Sequence, residues 1–239
     1  EAEFEHTLYK VLEDELGIAD TESFNNKLGA RGGKFFNWPK KAVEHVENWQ
    51  LLSPVRSNVF GVTMMNRSLH KHFKEAEIHW ARKGNKTPGP FGNEEIVYGS
   101  KVINLQNEKK NNKDVYPDDG TNYVANGEIG VVVGYAKWKN KKFGKKPKNL
   151  EVEFTSQKGY KYKYWNSDFS EEDGDKLELA YALTIHKAQG SQFDTVILVL
   201  PQNSFMISRE LIYTALTRQQ SRVIILSQGH PRHVLNYTE

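Results

Sequence analysis

Two stretches near the C-terminus decide the fold: LAYALTIHKAQGSQFDTVILVL at 179–200 and RELIYTALTRQQSRVIIL at 209–226. LELAYALT (177–184) alternates apolar and polar residues, whereas VILVL (196–200) and RVIIL (222–226) are almost uninterrupted apolar runs. Between those runs, Ile207 to Thr217 repeats its apolar positions at helical spacing. Strand, helix, strand with fully apolar strands predicts a parallel sheet covered on both faces, because the crossover helix must lie on a face of the sheet.

Working upstream, the period changes. From about Ile96 to Trp165 it is the two-residue period of strands, with IVYGSKVINL, GEIGVVVGYAKW, LEVEFTS and YKYKYW as candidates. Several short strands in so few residues predict a small antiparallel barrel. Before it, GNKTPGPFGN (84–93) is turn chemistry, and residues 61–80 read as a helix with Met65, Leu69, Phe73, Ile78 and Trp80 apolar. Trp49–Ser53 reads as a short buried strand closed by Pro54. Pro39 opens a helical pattern carrying Ala42, Val43 and Val46, and SFNNKLGARGGKFFNWP (23–39) reads as irregular loop. Leu8, Val11, Leu12 and Leu16 predict a first helix stopped at Gly17. The expected fold class is α/β: a parallel-sheet domain interrupted by a small β-barrel. Its expected bounds are 1–48 for an N-terminal helical and loop segment, 49–94 with 169–239 for the parallel-sheet domain, and 95–168 for the insertion.

Composition narrows the classes. With 239 residues, 38% hydrophobic and 26% charged, the chain is long enough for one large or two small domains. It has no cysteine, which excludes disulfide scaffolds, cysteine nucleophiles and cysteine-ligated zinc. No apolar run approaches the ~20 residues of a membrane helix, and EAEFEHTLYK has no signal-peptide core, so no membrane partner and a cytoplasmic location are expected. A start at Glu1 without methionine points to a processed product or a piece of a longer chain.

The net charge of +3 is mild, but its distribution is uneven. KWKNKKFGKKPK occupies 137–148 and EKKNNK 108–113. Such runs can neutralise phosphates, with Trp138 and Phe143 available to stack bases. A solvated hairpin tip that blocks edge-to-edge pairing is the blander reading. Other chemistry fails on inspection. A phosphate loop of the form G-x-x-x-x-G-K-[ST] is absent; GARGGKFF (29–36) comes nearest, but Leu28 stands where its first glycine should be and Phe35 where Ser or Thr should be. EDEL at 13–16 lies on an amphipathic helix rather than after a hydrophobic strand. The pairs His70/His72 and His230/His233 lack a third ligand, so surface histidine is expected and no metal site. There is no G-x-S-x-G elbow.

The two C-terminal stretches resemble motifs V and VI of superfamily 1 helicases, in particular the RecD-like branch. WQLLSPVRSNVFGVTMMNRSL (49–69) resembles that branch's "LSPM…G…LN" segment, and YGSKVINLQN with VANGEIGVVVG resembles the opening of its SH3-like insertion. The resemblance runs in order over about 49–226. It implies the second RecA-like motor domain of a larger helicase, whose first, ATP-binding motor domain is missing here. By the same resemblance Thr184 and His186 contact single-stranded DNA, Gln189 and Gly190 lie near nucleotide phosphates, and Arg218 is the arginine finger. Gln192 stands where the family has an acidic residue for the ribose, which puts sugar or base preference in doubt.

The implied role of the chain is a motor half of an ATP-dependent, 5′–3′ DNA helicase. ATP and Mg2+ serve the intact parent, and single-stranded nucleic acid, DNA in preference to RNA, is the partner. Lys141, Lys142, Lys145 and Lys146 are the expected backbone contacts in the basic run. Local physics fits, because a strand ending in a short helix at Thr184–Ser191 would present free N–H groups and hydroxyls to phosphates. Taken alone, however, TIHKAQG is a capped turn and a helix-end arginine is a carbonyl cap. Arg209 and Arg222 read as structural or surface residues, and Arg56 as a possible cleft contact. Two rivals stand beside this reading: a non-catalytic nucleic-acid or protein-binding module derived from a helicase, and an RNA helicase half.

Overall fold

The structure is a computed structural model that describes residues 2–36, 42–83, 87–135, 149–170, 174–202 and 207–229. Along the chain lie α1 (Ala2–Leu16), α2 (Thr21–Lys27), β1 (Trp49–Ser53), α3 (Val62–Lys83), β2 (Lys101–Asn104), β3 (Glu108–Lys109), β4 (Val115–Tyr116) and β5 (Tyr123–Val124). There follow β6 (Ile129–Gly134), β7 (Asn149–Phe154), β8 (Lys161–Trp165), β9 (Phe169–Ser170), β10 (Gly174–Asp175), β11 (Leu177–Leu179), β12 (Ala182–Thr184), β13 (Phe193–Leu200), α4 (Arg209–Leu216) and β14 (Gln219–Ser227). The class is α/β. By contact the chain forms two compact units: one of 1–11, 47–69 and 181–239, the other of 12–46 and 70–180.

The first unit holds a four-stranded sheet in the order β12-β1-β13-β14, with every neighbouring pair parallel. Every residue of β1 is buried, and β13 is buried except at Asp194, as continuous apolar strands require. The edge strand β14 departs from the expected two-sided cover: its residues are half-buried or exposed, Ile225 being 44% exposed. An edge strand has a neighbour on one side only, so an apolar run there does not guarantee burial. Phe4 of α1 meets Phe60 edge-on at 4.7 Å, and the Tyr9 hydroxyl reaches the Ser68 hydroxyl at 2.5 Å. The N-terminal helix is thereby fixed to the segment before and inside α3.

The second unit holds a six-stranded antiparallel sheet in the order β11-β2-β6-β7-β8-β4. KYKYW alternates as strand geometry dictates, Tyr162 and Tyr164 buried and Lys161 and Lys163 half-exposed. Pairing runs from β11 to β4 with no closing pair between those two among the described residues. LELAYALT, which reads as one alternating stretch, is two strands: β11 pairs antiparallel with β2, and β12 pairs parallel with β1. The chain changes sheets at Ala180–Tyr181.

Three local expectations are corrected. Where a loop is expected over 23–39, the chain instead begins with the end of a helix, Thr21–Lys27, opened by a capping box between Asp20 and Ser23. It packs through Phe24, stacked on Phe73 of α3 at 4.4 Å. The helical pattern expected from Pro39 gives only a 3-10 turn, Val43–His45, among the described residues, although Ala42, Val43 and Val46 are buried. His70 is not a surface residue: it is buried, and its Nε2 donates to the Glu95 carbonyl at 2.9 Å, so the ring is the neutral Nε2–H tautomer. Burial, together with nearby Lys74, lowers its pKa from 6.5 to about 4, against the opposing pull of the Glu95 carbonyl.

The 108–113 run is also less cationic than it reads. Lys110 is buried, 2.8 Å from Glu108 and with its ammonium 3.5 Å above the Tyr164 ring. Lys176 joins the same group, 2.7 Å from both Glu108 and Asp168. Among the described residues, no helix is long and apolar enough to cross a membrane, and no group of three or more acidic or histidine side chains is placed to hold a metal.

Candidate functional site

The site grows from the end of β12. Asn66, buried on α3, clamps that strand: its amide donates to the Ala182 carbonyl at 3.0 Å and accepts from the Ala182 N–H at 2.8 Å. On the other side β12 pairs with β1, and the Ile185 N–H donates to the Ser53 carbonyl at 3.2 Å. The helix that carries Asn66 is launched by a tight loop, where Val62 and Thr63 donate to the carbonyls of Val55 and Arg56 at 3.1 and 3.0 Å. Gly61 is needed there, because a Cβ would sit 2.6 Å from the Arg56 carbonyl oxygen.

Beyond Thr184 the chain does not enter the expected short helix. Residues 185–190 are successive turns. Ala188 donates to the Thr184 carbonyl at 3.1 Å, Gln189 to His186 at 3.2 Å, and Ser191 to Ala188 at 3.1 Å. The Thr184 hydroxyl accepts from the Lys187 N–H at 3.3 Å. Gly190 takes φ of +90°, a left-handed conformation that L side chains rarely adopt, with open space where a Cβ would point. His186, Gln189, Gly190 and Gln192 are exposed, and Thr184 is half-buried. This is a compact, solvent-facing loop rather than a helix N-terminus.

Arg218 follows α4, whose N-cap is Ser208. Its Nε donates to the Thr214 carbonyl at 3.1 Å and its Nη2 to the Thr217 hydroxyl at 3.1 Å. Nη1 reaches the Ser191 carbonyl at 3.4 Å, and the Phe193 N–H donates to the Arg218 carbonyl at 2.8 Å. Arg218 therefore caps its own helix and is tied to the 184–191 loop. The Gln192 carboxamide accepts from Gln220 at 3.3 Å. The structure thus gathers Thr184, His186, Gln189, Gly190, Gln192 and Arg218 in one unit. Lys141, Lys142, Lys145 and Lys146 fall outside the described residues, as do His230 and His233.

Residues 179–226, which contain this whole assembly, match the UvrD-like helicase C-terminal domain. The RecBCD enzyme subunit RecD of Buchnera aphidicola (subsp. Acyrthosiphon pisum) is 25% identical over 79% of the chain and 26% of its own length. Residues 179–226 are thus similar to the UvrD-like helicase C-terminal domain, and most of the chain is similar to RecD. An uncharacterized protein of Methanocaldococcus jannaschii is 33% identical over 78% of the chain and 15% of its own length. The ATP-dependent RecD2 DNA helicase of Deinococcus radiodurans is 55% identical over 47 residues, 19% of the chain and 7% of that protein. The chain thus spans a small share of each relative. Among solved structures, the Pif1 helicase from Candida albicans overlays loosely: 17% identity, 84% of this chain, 51% of that one, TM-score 0.43.

Around this site, three contributors are assigned no role by the motif resemblance. Ser191 supplies the carbonyl that receives Arg218, Lys187 supplies the N–H that holds Thr184, and Asn66 fixes β12 from 116 residues away. Only Asn66 left a signal, a polar residue on the apolar face of the helix at 61–80. Replacing it with alanine strands the N–H and C=O of Ala182 in a buried place. We expect Asn66→Ala to cost about 2 kcal/mol of stability, measured by urea unfolding. An unchanged midpoint would show that water replaces the clamp.

Proposed function

We propose that this chain is the second motor half of an ATP-dependent DNA helicase that moves 5′ to 3′ on single strands. In that reading the 184–192 loop grips DNA, and Arg218 reaches the nucleotide held by a first motor domain outside this chain. ATP and Mg2+ are cofactors of the intact parent, DNA is preferred over RNA, and the cell compartment is the cytoplasm. Residues 95–168 are the SH3-like insertion, returning through β11. The observation that carries the reading is the bond from Arg218 to the Ser191 carbonyl, which couples the arginine to the DNA-facing loop within the matched segment.

The residues fit an anionic ligand. The open space at Gly190, where no Cβ intrudes, lets an incoming oxygen approach the backbone. Gln189 would donate from its side-chain amide, and Arg218 would swing from its helix carbonyl to a phosphate oxygen, for which its planar fork is suited. Hydrolysis of bound ATP supplies the free energy of movement. The chain's own part is to couple grip to that event, because a shift of Arg218 pulls on Ser191 and hence on the turn that holds Thr184 and His186.

A binding experiment tests the grip. Affinity for an oligothymidylate should fall with salt, at about −0.7 in log–log slope per neutralised phosphate on a single strand. Charge-neutral substitution of Lys141, Lys142, Lys145 and Lys146 should flatten that slope. Thr184→Val with His186→Ala should weaken binding at every salt concentration. Affinity indifferent to salt and to all six changes would leave the basic run as a solubility device and remove the DNA role.

A further inference from the structure

A second site lies in the other unit. A cavity of about 420 Å³ opens between the turn after α2, the last turns of α3 and the β6–β7 edge. That volume falls in the range of sites for small ligands. Four aromatic residues line it: Phe35, Trp80, Tyr98 and Tyr135. Phe35 and Trp80 are 65% and 71% exposed, unusual for such side chains. Tyr98 is pre-set, its hydroxyl accepting from the Phe36 N–H at 2.8 Å and its ring lying edge-on to Tyr135 at 6.4 Å.

Two polar atoms give the cavity direction. Glu77 and Thr87 line it, and Glu77 Oε2 and Thr87 Oγ1 are buried without a hydrogen-bonding partner. Glu77 is held in place through its other oxygen, which accepts from Asn25 at 3.2 Å and faces Lys74 at 3.7 Å. Aromatic faces beside an unsatisfied carboxylate oxygen suit a flat heterocycle with N–H groups on its edge.

We propose that this cavity stacks a base of single-stranded nucleic acid. Charge complementarity selects that occupant over a cationic or proline-rich peptide. The sequence that follows Tyr135 and precedes Asn149 contains seven lysines in thirteen residues and no acidic residue, which attracts a polyanion and repels a basic chain. The proposal rests on the single-strand-binding reading above and extends it to a contact with bases, remote in sequence from Thr184 and His186.

The test uses the full-length protein without nucleotide. A strand bearing 5-bromodeoxyuridine is photocrosslinked, and binding is compared between a thymidine oligomer and an abasic oligomer of equal length. Crosslinks to Trp80, Phe35, Tyr98 or Tyr135 are expected, with the base-bearing strand bound about tenfold tighter or more. Phe35→Ala with Trp80→Ala should abolish most of that preference while leaving the salt-dependent part; both side chains are exposed, and a thermal melt checks that the fold is kept. Crosslinks confined to 181–229, or a preference unchanged in the double variant, would overturn the site. So would a proline-rich peptide that protects Trp80 from modification where the oligomer does not. Crosslinking at Trp80 in a parent without ATPase would sustain the site and sink the motor reading. ATPase without such crosslinks would do the reverse.

Discussion

In the full-length parent, Arg218→Ala is expected to lower ATP turnover by ~10³–10⁵, equivalent to roughly 4–7 kcal/mol of barrier. On the proposed reading, an arginine that stabilises charge on the transferring phosphoryl group acts on turnover, whereas nucleotide affinity would rest on a phosphate loop in another motor domain. Nucleotide binding should therefore change little. Arg218→Lys should rescue poorly, because a point charge cannot reproduce the planar fork. The structure adds a second, smaller effect. Arg218 caps α4 through Thr214 and ties it to Ser191, so its loss should also cost on the order of 1 kcal/mol of stability. A melting curve separates the two. A variant that melts early and hydrolyses ATP normally would make Arg218 a helix cap and nothing more.

Acid should destabilise the unit that contains α2 and the antiparallel sheet, and His70 should dominate the effect. Its pKa is about 4 in the fold against 6.5 for the free side chain, chiefly because burial disfavours the charged ring. The unfolded chain therefore binds the proton first as pH falls. The stability due to neutral His70 is complete above pH 6.5 and is lost as pH falls toward 4, by about 3 kcal/mol in all. His70→Gln keeps a donor for the Glu95 carbonyl and removes the titration. Urea unfolding at pH 7.5 and pH 4 should show wild type losing about 3 kcal/mol more than the variant. Parallel losses in the two proteins would place the acid sensitivity elsewhere.

How much of this was legible depends on whether the governing interaction is local. β1 is found where WQLLS places it, and α3, β13 and α4 where their periods place them, because burial of a repeated face is written into the spacing of apolar residues. α2 was hidden by the Asn and Gly of its surroundings, although Asp20 and Ser23 carry the capping pair that starts it. The division of LELAYALT between two sheets could not be read, since both strands alternate alike and only their distant partners, β2 and β1, differ. His70 reads as polar and is buried, because the carbonyl that satisfies it belongs to Glu95. For the candidate site, motif resemblance singles out residues 184–192 and Arg218, which fall in one unit, but the turn geometry of 185–190 and the tie from Arg218 to Ser191 leave no trace in it. A side-chain-to-carbonyl bond across 27 residues leaves no mark in spacing.

The central claim is that this chain works as half of a motor, and strand separation tests it most directly. The full-length protein should be given a duplex with a 5′ single-stranded tail and one with a 3′ tail, each with and without ATP. The account predicts separation of the 5′-tailed duplex that requires ATP and is abolished by Arg218→Ala. No ATP-dependent separation of either duplex by a well-folded wild-type protein would contradict it.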